Sequence, residues 1–340
     1  MDEGGLALAP AHYCAGVRHT RQRRRAPGTA AGSNMTIVLQ RSIRAALTLW
    51  IVVTVVFIAT RMSGDPTYHI LPPNTPEVKR EVLRQQLGLD RPLVVQYVDY
   101  LSGLAHGDFG RSFFSGRMVT EMYLERLPAT LNLALPSLLL AILIGLPIGT
   151  IAAVKPNSPV DRGLMALTFV GQAVPNFVLG IVFILLFSLT LRLLPSGGTG
   201  SWPHYILPVL TLGIASIASI SRLTRSSLLD VLGQDYIRFV RAKGLPPSKV
   251  IIKHALRNAL LPVLTVIGLQ VGTLIGGAVV VEVVFAWPGA GRLLVAAVMQ
   301  RDFPMLQFGV LAVAATVIIA NVFVDVGCGL LDPRIQARAS

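Results

Sequence analysis

The apolar residues of this chain cluster in long blocks, at about 45–62, 129–154, 164–191, 205–220, 259–286 and 305–327, separated by polar segments. A block of about 20 residues with few charges can cross a bilayer core of about 30 Å as a helix. The pattern therefore predicts an all-α polytopic membrane protein with six transmembrane helices. The fourth block is the weakest, being short and rich in Ala, Ser and Gly. Pro136, Pro147, Pro175 and Pro262 fall inside the predicted spans, where neighbouring helices can satisfy the carbonyls they free. Kinked helices rich in Gly, Ala and Ser suit a tightly packed bundle that moves.

The polar segments carry their own organisation. Residues 1–34 contain Arg21, Arg23, Arg24 and Arg25 but no apolar core of a signal peptide; they read as a disordered basic leader before a membrane domain over 35–340. Residues 64–127 are too long for a plain turn. Thr75 and Pro76 mark a helix start, Val78, Val82, Leu83 and Leu87 share one face, and Gly88 ends the helix. A second short helix is expected at 93–104, closed by the turn Gly107-Asp108-Phe109-Gly110. The whole is predicted to form a small helical cap lying on the membrane.

Charge sets the orientation. Hydrophobic residues make up 53% of 340 positions and charged residues only 14%, against about a quarter in soluble domains. The formal charge of +13 does not mark a nucleic-acid binder, because the cations lie between apolar blocks with no aromatic-interleaved basic surface. Segment 222–257 holds Arg222, Arg225, Arg238, Arg241, Lys243, Lys249, Lys253 and Arg257 against Asp230 and Asp235, a net +6, and is read as cytoplasmic. Segment 64–127 carries a slight acidic excess and is read as external, that is, periplasmic. Six spans then place both termini in the cytoplasm, as the basic Arg41/Arg44 and Arg334/Arg338 ends also suggest. Cys14 and Cys328 show no disulfide or zinc spacing.

No engine is apparent in the chain. None of the lysines (Lys79, Lys155, Lys243, Lys249, Lys253) follows a glycine, so a phosphate-binding Gly-Lys-Ser/Thr loop is absent. Ion coupling usually leaves ionisable residues within the membrane, yet the acids identified near spans, Glu282 and Asp325, lie toward helix ends. No His-Glu-x-x-His motif occurs, and His106, His204 and His254 stand alone, so neither a catalytic nor a metal site is expected. A separate ATPase remains, with a self-contained secondary transporter or channel as the alternative. A partner needs a handle, and 235–262 offers one: helix, Gly244, Pro246-Pro247, then a second amphipathic helix feeding the fifth span. Tyr236, Val240 and Lys243 fall near one face of the first helix, and Arg238 and Arg241 near another. A plain alternative is a linker whose cations fix topology or bind anionic lipid.

Polar residues within spans are candidates for a translocation path: Gln172 and Asn176 beside Pro175, Ser216 and Ser219, Gln270, and Glu282, which could face Arg292, a partner subunit or the interface. Their plain alternative is interhelical hydrogen bonding, about 0.6 kcal/mol on average. Trp50, Trp202 and Trp287 are expected at interfaces or in packing.

The stretch 238–262, with Arg241-Ala242-Lys243-Gly244-Leu245 and His254-Ala255-Leu256-Arg257-Asn258-Ala259-Leu260-Leu261-Pro262, resembles the EAA coupling loop of oligopeptide/dipeptide-type ABC importer permeases. Gly64-Asp65-Pro66, Leu87-Gly88-Leu89-Asp90-Arg91-Pro92, Gly107-Asp108-Phe109-Gly110-Arg111-Ser112, Glu282-Val283-Val284-Phe285-Ala286-Trp287-Pro288-Gly289 and Leu331-Asp332-Pro333-Arg334 extend the resemblance, in order, to the first permease subunit of that family. Arg238 stands where the general pattern has glutamate, and the gap from Gly244 to Pro262 is longer, as in the oligopeptide-type subset. The resemblance implies a type I importer membrane domain in the bacterial cytoplasmic membrane. It would pair with a second permease, two ATP-binding subunits that use ATP and Mg2+, and a periplasmic or lipid-anchored substrate-binding protein. It needs no cofactor of its own. It implies ATPase coupling through Asp235, Tyr236, Arg238, Arg241, Ala242, Lys243, Gly244 and Leu245. Family cargoes are di- and oligopeptides, with nickel chelates, haem or glycans in relatives, selected largely by the binding protein.

Overall fold

A computed structural model describes residues 30–331 of the chain, with side chains described for 42–322. Helix α1, Ala30–Met62, takes in the last residues of the expected leader; the remainder of that leader, the basic C-terminal end and the side chains of Cys328 and Asp325 lie outside the described residues. The chain divides at Ser42 into two units, and the packed bundle belongs to the second, Ile43–Ser340.

After α1 come three short helices, α2 (Thr67–Ile70), α3 (Glu77–Gln86) and α4 (Leu93–Ala105). The bundle follows: α5 (Val119–Val154), α6 (Pro159–Ala173), α7 (Asn176–Phe183) with a π-helical continuation Ile184–Thr190, and α8 (Pro203–Leu232). Next are α9 (Asp235–Ala242), the single turn α10 (Pro247–Lys249), a π-helical stretch Val250–Leu256, α11 (Arg257–Val284), α12 (Ala290–Gln300) and α13 (Phe303–Leu331).

Five of these segments are long and apolar enough to cross a bilayer: Ser42–Met62, Val119–Val154, Pro203–Leu232, Pro247–Val284 and Phe303–Val322. The predicted third span is not one rod. α6 and α7 meet at Pro175 with a bend of 101°, so a sixth crossing is made only if the pair is one broken span. Pro175 has no N–H and biases Val174 away from the helical region, and Val174 is extended at ψ 124°.

The weakest predicted span proves to be the best buried. α8 runs to Leu232 because Ser221, Thr224 and Ser227, polar enough to end the apolar block, are buried in the bundle. The Ser221 hydroxyl donates to the Ile217 carbonyl at 2.7 Å, satisfying itself within the helix. Close contact with α5 explains why small residues line this face. Gly145 and Gly149, one helical turn apart, present bare backbone to α8. A Cβ on Gly145 would sit 3.0 Å from Ile220, and one on Gly149 would meet the Ser221 carbonyl oxygen and lie 2.6 Å from Thr224 Cβ. Small residues at such spacing let membrane helices approach backbone to backbone. Farther along, Ser137 of α5 donates to the Val209 carbonyl at 3.2 Å, and Leu133, Leu207, Leu212, Leu274 and Phe285 join α5, α8 and α11 in one apolar core.

A buried charge pair, absent from the list of acids near spans, ties the α5–α6 corner to α8. Asp161 in the first turn of α6 accepts from Arg225 Nε at 2.6 Å and Nη2 at 2.7 Å, and from the Asn157 N–H at 2.8 Å. Its side chain is 3% exposed and that of Arg225 26%. Arg225 is therefore not among the free cations of 222–257.

Segment 64–127 folds into the two expected helices, but α3 is turned over. Val78 and Val82 point outward, whereas Arg80 is 3% exposed. The Arg80 guanidinium donates to the carbonyls of Pro72, Pro73 and Thr75 and lies 4.3 Å from the Tyr68 ring centroid. Three carbonyls of a proline-rich turn have no helical donors, and the fork of one arginine serves all of them. α4 packs on α1 through Tyr97 and Tyr100, whose rings lie 5.2 and 5.8 Å from that of Phe57. Gly64, at φ +104°, leads into an Asx turn in which Asp65 accepts from the Thr67 N–H at 2.8 Å and from Arg84. Asp302, between α12 and α13, anchors the segment's other end by accepting from the Ser112 hydroxyl at 2.5 Å and the Phe113 N–H at 3.1 Å.

Two outcomes are expected. Gly149→Val should lower the stability of the detergent-solubilised chain by at least about 1–3 kcal/mol through overpacking at α8, read as a fall in melting temperature, whereas Gly163→Val, where nothing lies within 4 Å of a Cβ, should not. Burial alone would raise the Asp65 carboxyl, but the hydrogen bonds from Thr67 and Arg84 outweigh it and hold it below its ordinary value. A depressed carboxylate stabilises the fold above its unfolded pKa of about 4 and loses that contribution as pH falls through the folded value. Melting curves from pH 7 down to 3 should therefore show a smaller acid loss in Asp65→Asn than in wild type.

Candidate functional site

Two regions deserve description as sites: the helix–glycine–proline segment after α8, and the polar residues of the bundle. In the first, Gln234 is extended and starts α9, whose single fully buried side chain is Ile237. Ile237 packs with Leu228 and Val231 of α8, Ala153 of α5, and Val250, Ala255 and Ala259 at the start of the fifth long span, with Val240 and Leu245 beside them. Val240 thus faces inward, which removes it from the outer surface expected of it. Tyr236 supplies a second fixing: Asn258 Nδ2 donates to its hydroxyl at 2.7 Å, and that hydroxyl donates to the His254 carbonyl at 3.3 Å. α9 is thereby bolted to α8 in sequence and to α11 in space.

The outward face holds Asp235, Tyr236, Arg238, Arg241, Ala242, Lys243 and Gly244, all exposed, while Leu245 is half-buried. Arg238 and Asp235 form a loose pair at 3.4 Å with both side chains in solvent, a contact of small energetic weight. Phe239, which sequence reasoning left out, is the largest feature here: its ring is 63% exposed and Lys243 Nζ lies 4.7 Å above it. Its signal was available, since an aromatic residue between cations on a short helix with Ile237 turned inward must point out. Gly244 closes the helix at φ +75° with open space where a Cβ would be; glycine is needed for the left-handed backbone alone. The π-helical stretch Val250–Leu256 follows, a distortion that often marks functional positions within helices.

The pathway candidates separate into groups. Ser216 of α8 and Gln270 of α11 are buried and face each other, with the hydroxyl 3.5 Å from Gln270 Oε1. Ser219 is half-buried on α8. Gln172 is exposed and Asn176 half-buried on either side of the α6–α7 bend, and Asn176 Nδ2 stands 3.5 Å from where a Cβ on Gly277 of α11 would be. The bend thus brings one member of that pair against α11.

Glu282 has a structural partner for its carboxyl within this chain. It is fully buried, and its carboxyl caps α12 by accepting from the Arg292 N–H at 2.8 Å and the Thr130 hydroxyl at 2.5 Å. Thr130 in turn accepts from the Ala290 N–H at 2.9 Å. First-turn N–H groups have no helical partners, and a carboxylate there is also favoured by the helix dipole. The Arg292 guanidinium turns away to the Ala286 carbonyl at 2.8 Å. Gly291 is required because a Cβ would sit 2.6 Å from Val279 Cα and 2.9 Å from the carboxylate. Trp287 closes the corner, 1% exposed, donating Nε1–H to the Ala129 carbonyl at 2.9 Å. Trp50 and Trp202 are exposed. Among the described residues no group of His, Cys, Asp or Glu could hold a metal ion.

Comparison with known proteins agrees with this geometry. Residues 145–337 match the family described as "Binding-protein-dependent transport system inner membrane component", and residues 34–134 match its N-terminal counterpart. Over 305 residues, 89% of this chain and all of the relative, the sequence is 45% identical to the glutathione transport system permease protein GsiC of Salmonella choleraesuis (strain SC-B67). It is 44% identical over the same coverage to GsiC of Escherichia coli (strain K12). Among solved structures, the inward-facing MetNI methionine ABC transporter (CY5 SeMet soak crystal form) gives a TM-score of 0.50 at 18% identity, covering 64% of this chain and 96% of that one, a likeness of fold.

Glu282→Gln should lower stability by about 1–3 kcal/mol, because the cap loses its charge-assisted bonds while keeping its shape. A thermal melt of the purified chain reads the difference, and Arg292→Gln, whose guanidinium makes no part of the cap, should leave it within about 0.5 kcal/mol.

Proposed function

The chain belongs to the family of binding-protein-dependent transport system inner membrane components and is a permease subunit of an ABC importer, and on that premise we propose that it couples to a separate ATPase through 235–262. Family membership displaces the alternative of a self-contained secondary transporter or channel. One observation carries the coupling reading. The exposed Phe239–Arg241–Lys243 surface rides on a helix that buried Ile237 and the Tyr236 hydroxyl fix at once to α8 and α11. A push on α9 reaches both long helices without passing through a flexible link.

In this reading two ATP-binding subunits hydrolyse ATP with Mg2+, a second permease supplies the other half of the path, and an external binding protein delivers cargo. The net +6 charge of 222–257 supports a cytoplasmic position for α9, with 64–127 outside and both termini inside. Identity of 45% to glutathione permeases supports a small peptide-like cargo. Ser216 and Gln270, facing each other between α8 and α11, and Asn176 at the bend are the polar groups best placed to meet it.

Assembled with its partner subunits, the transporter should lose at least about tenfold of its substrate-stimulated ATP hydrolysis in Phe239→Asp and in the double variant Arg241→Glu/Lys243→Glu. The melting temperature of the isolated chain should change little, since all three side chains are exposed. Full ATPase stimulation in both variants would refute coupling at this surface.

A further inference from the structure

The last turn of α1 carries an arginine with no counter-charge. Arg61 lines two adjoining cavities between α1, α3 and α4, of about 260 Å³ and 290 Å³, and Gln96 lines both with it. Of the other cations that line them, Arg84 is taken by Asp65 and Glu81, and Arg91 by Asp99 at 3.1 Å, while Arg301 reaches Gly64 at the edge of the first. Arg61 differs. Its Nε and Nη1 are buried without hydrogen-bond partners, its Cζ lies 5.1 and 5.2 Å from the ring centroids of Phe57 and Phe303, and among the described residues no carboxylate pairs with it. Gln96 donates Nε2–H to the Leu89 and Arg91 carbonyls, while its Oε1 is buried and unpartnered. Two buried guanidinium nitrogens without acceptors on a half-buried arginine are costly, so the cavity suits an anion that accepts from Arg61 and carries a donor for Gln96.

The surroundings narrow the class. Ile58 and Met62, which flank Arg61 on α1, are exposed at 50% and 82%, and Leu93 of α4, which lines the first cavity, at 60%. Arg61 sits in the last turn of a membrane span, the depth at which lipid headgroups lie. A free anion would use only the polar half of this arrangement, whereas a phospholipid fits both halves. We propose that Arg61 binds the phosphate of a glycerophospholipid whose acyl chains lie along the exposed apolar flank of α1 and α4.

The test titrates the assembled, delipidated transporter, containing the full-length chain, with dioleoylphosphatidylglycerol, dioleoylglycerol or inorganic phosphate, and counts bound molecules by native mass spectrometry. One phosphatidylglycerol site is expected to weaken at least about tenfold in Arg61→Met, as for loss of a charge-assisted hydrogen bond. Dioleoylglycerol should leave that site unfilled, and inorganic phosphate at equal concentration should not displace the lipid. Should Arg61→Met fail to assemble, Leu93→Asp, which leaves Arg61 in place, decides by the same readout and is expected to weaken the same site. Unchanged lipid binding in the variant that assembles would overturn the proposal. So would displacement by inorganic phosphate, which marks a free-anion site, or equal binding of dioleoylglycerol, which marks apolar contact alone. Absence of any such site in the assembled wild type, with a partner subunit covering this face, would overturn it as well.

Discussion

The backbone-to-backbone approach of α5 and α8 is the contact from which the rest of the bundle hangs. Lipid tails are as apolar as leucine, so helices in a membrane gain little by hiding apolar side chains from their solvent, and close packing has to hold them instead. Gly145 and Gly149 give α8 a bare groove. Into it go Ile220, Ser221 and Thr224, all buried. With α8 held this way, α11 closes on α5 and α8 through the core around Leu212, Leu274 and Phe285, and α9, two residues beyond α8, inherits a fixed position. The position of α9 thus depends on a glycine pair one to two turns before Ala153, which packs with Ile237.

Buried acids serve as fasteners at helix ends. Glu282 binds the start of α12 to α5, Asp161 binds the α5–α6 corner to α8, and Asp302 binds the turn after Ser112 to the α12–α13 junction. Each is served by backbone N–H groups, hydroxyls or an arginine fork, so its burial is compensated. None sits as an unpartnered proton carrier mid-membrane, as an ion-coupled carrier would need. A subunit moved by another protein benefits from stiff corners, which transmit displacement instead of absorbing it.

Much of this was legible in the sequence, for identifiable reasons. Block length read out the long spans, and the order helix, Gly244, Pro246-Pro247, helix read out the layout of 235–262, because left-handed glycine and proline punctuate the backbone locally. Tertiary choices were hidden. α8 looked short because Ser221, Thr224 and Ser227 appear polar, yet all three are small enough to be buried in the bundle, Ser221 bonding to its own helix. Val78, Val82, Leu83 and Leu87 share one face of α3, but it is Arg80 that turns inward, to the carbonyls of Pro72, Pro73 and Thr75. The third span gave no warning of a 101° bend, since proline in a membrane helix is as compatible with a mild kink as with a sharp break. Asp161 escaped notice because its partner Arg225 lies 64 positions away in a segment whose cations looked like topology signals.

That same ion pair also sets how the bent α6–α7 pair lies along α8. Asp161 opens α6 and Arg225 lies near the end of α8, so the two helices have these ends at one depth. The other end of the α6–α7 pair reaches Phe187 and Leu194, which pack with Tyr205 at the start of α8 and with Phe285 and Trp287. α8 is 30 residues long, about 45 Å, so its two ends lie on opposite sides of a bilayer core of about 30 Å. The α6–α7 pair therefore runs alongside α8 from near Arg225 to near Tyr205, and its 101° bend lies between those two anchors.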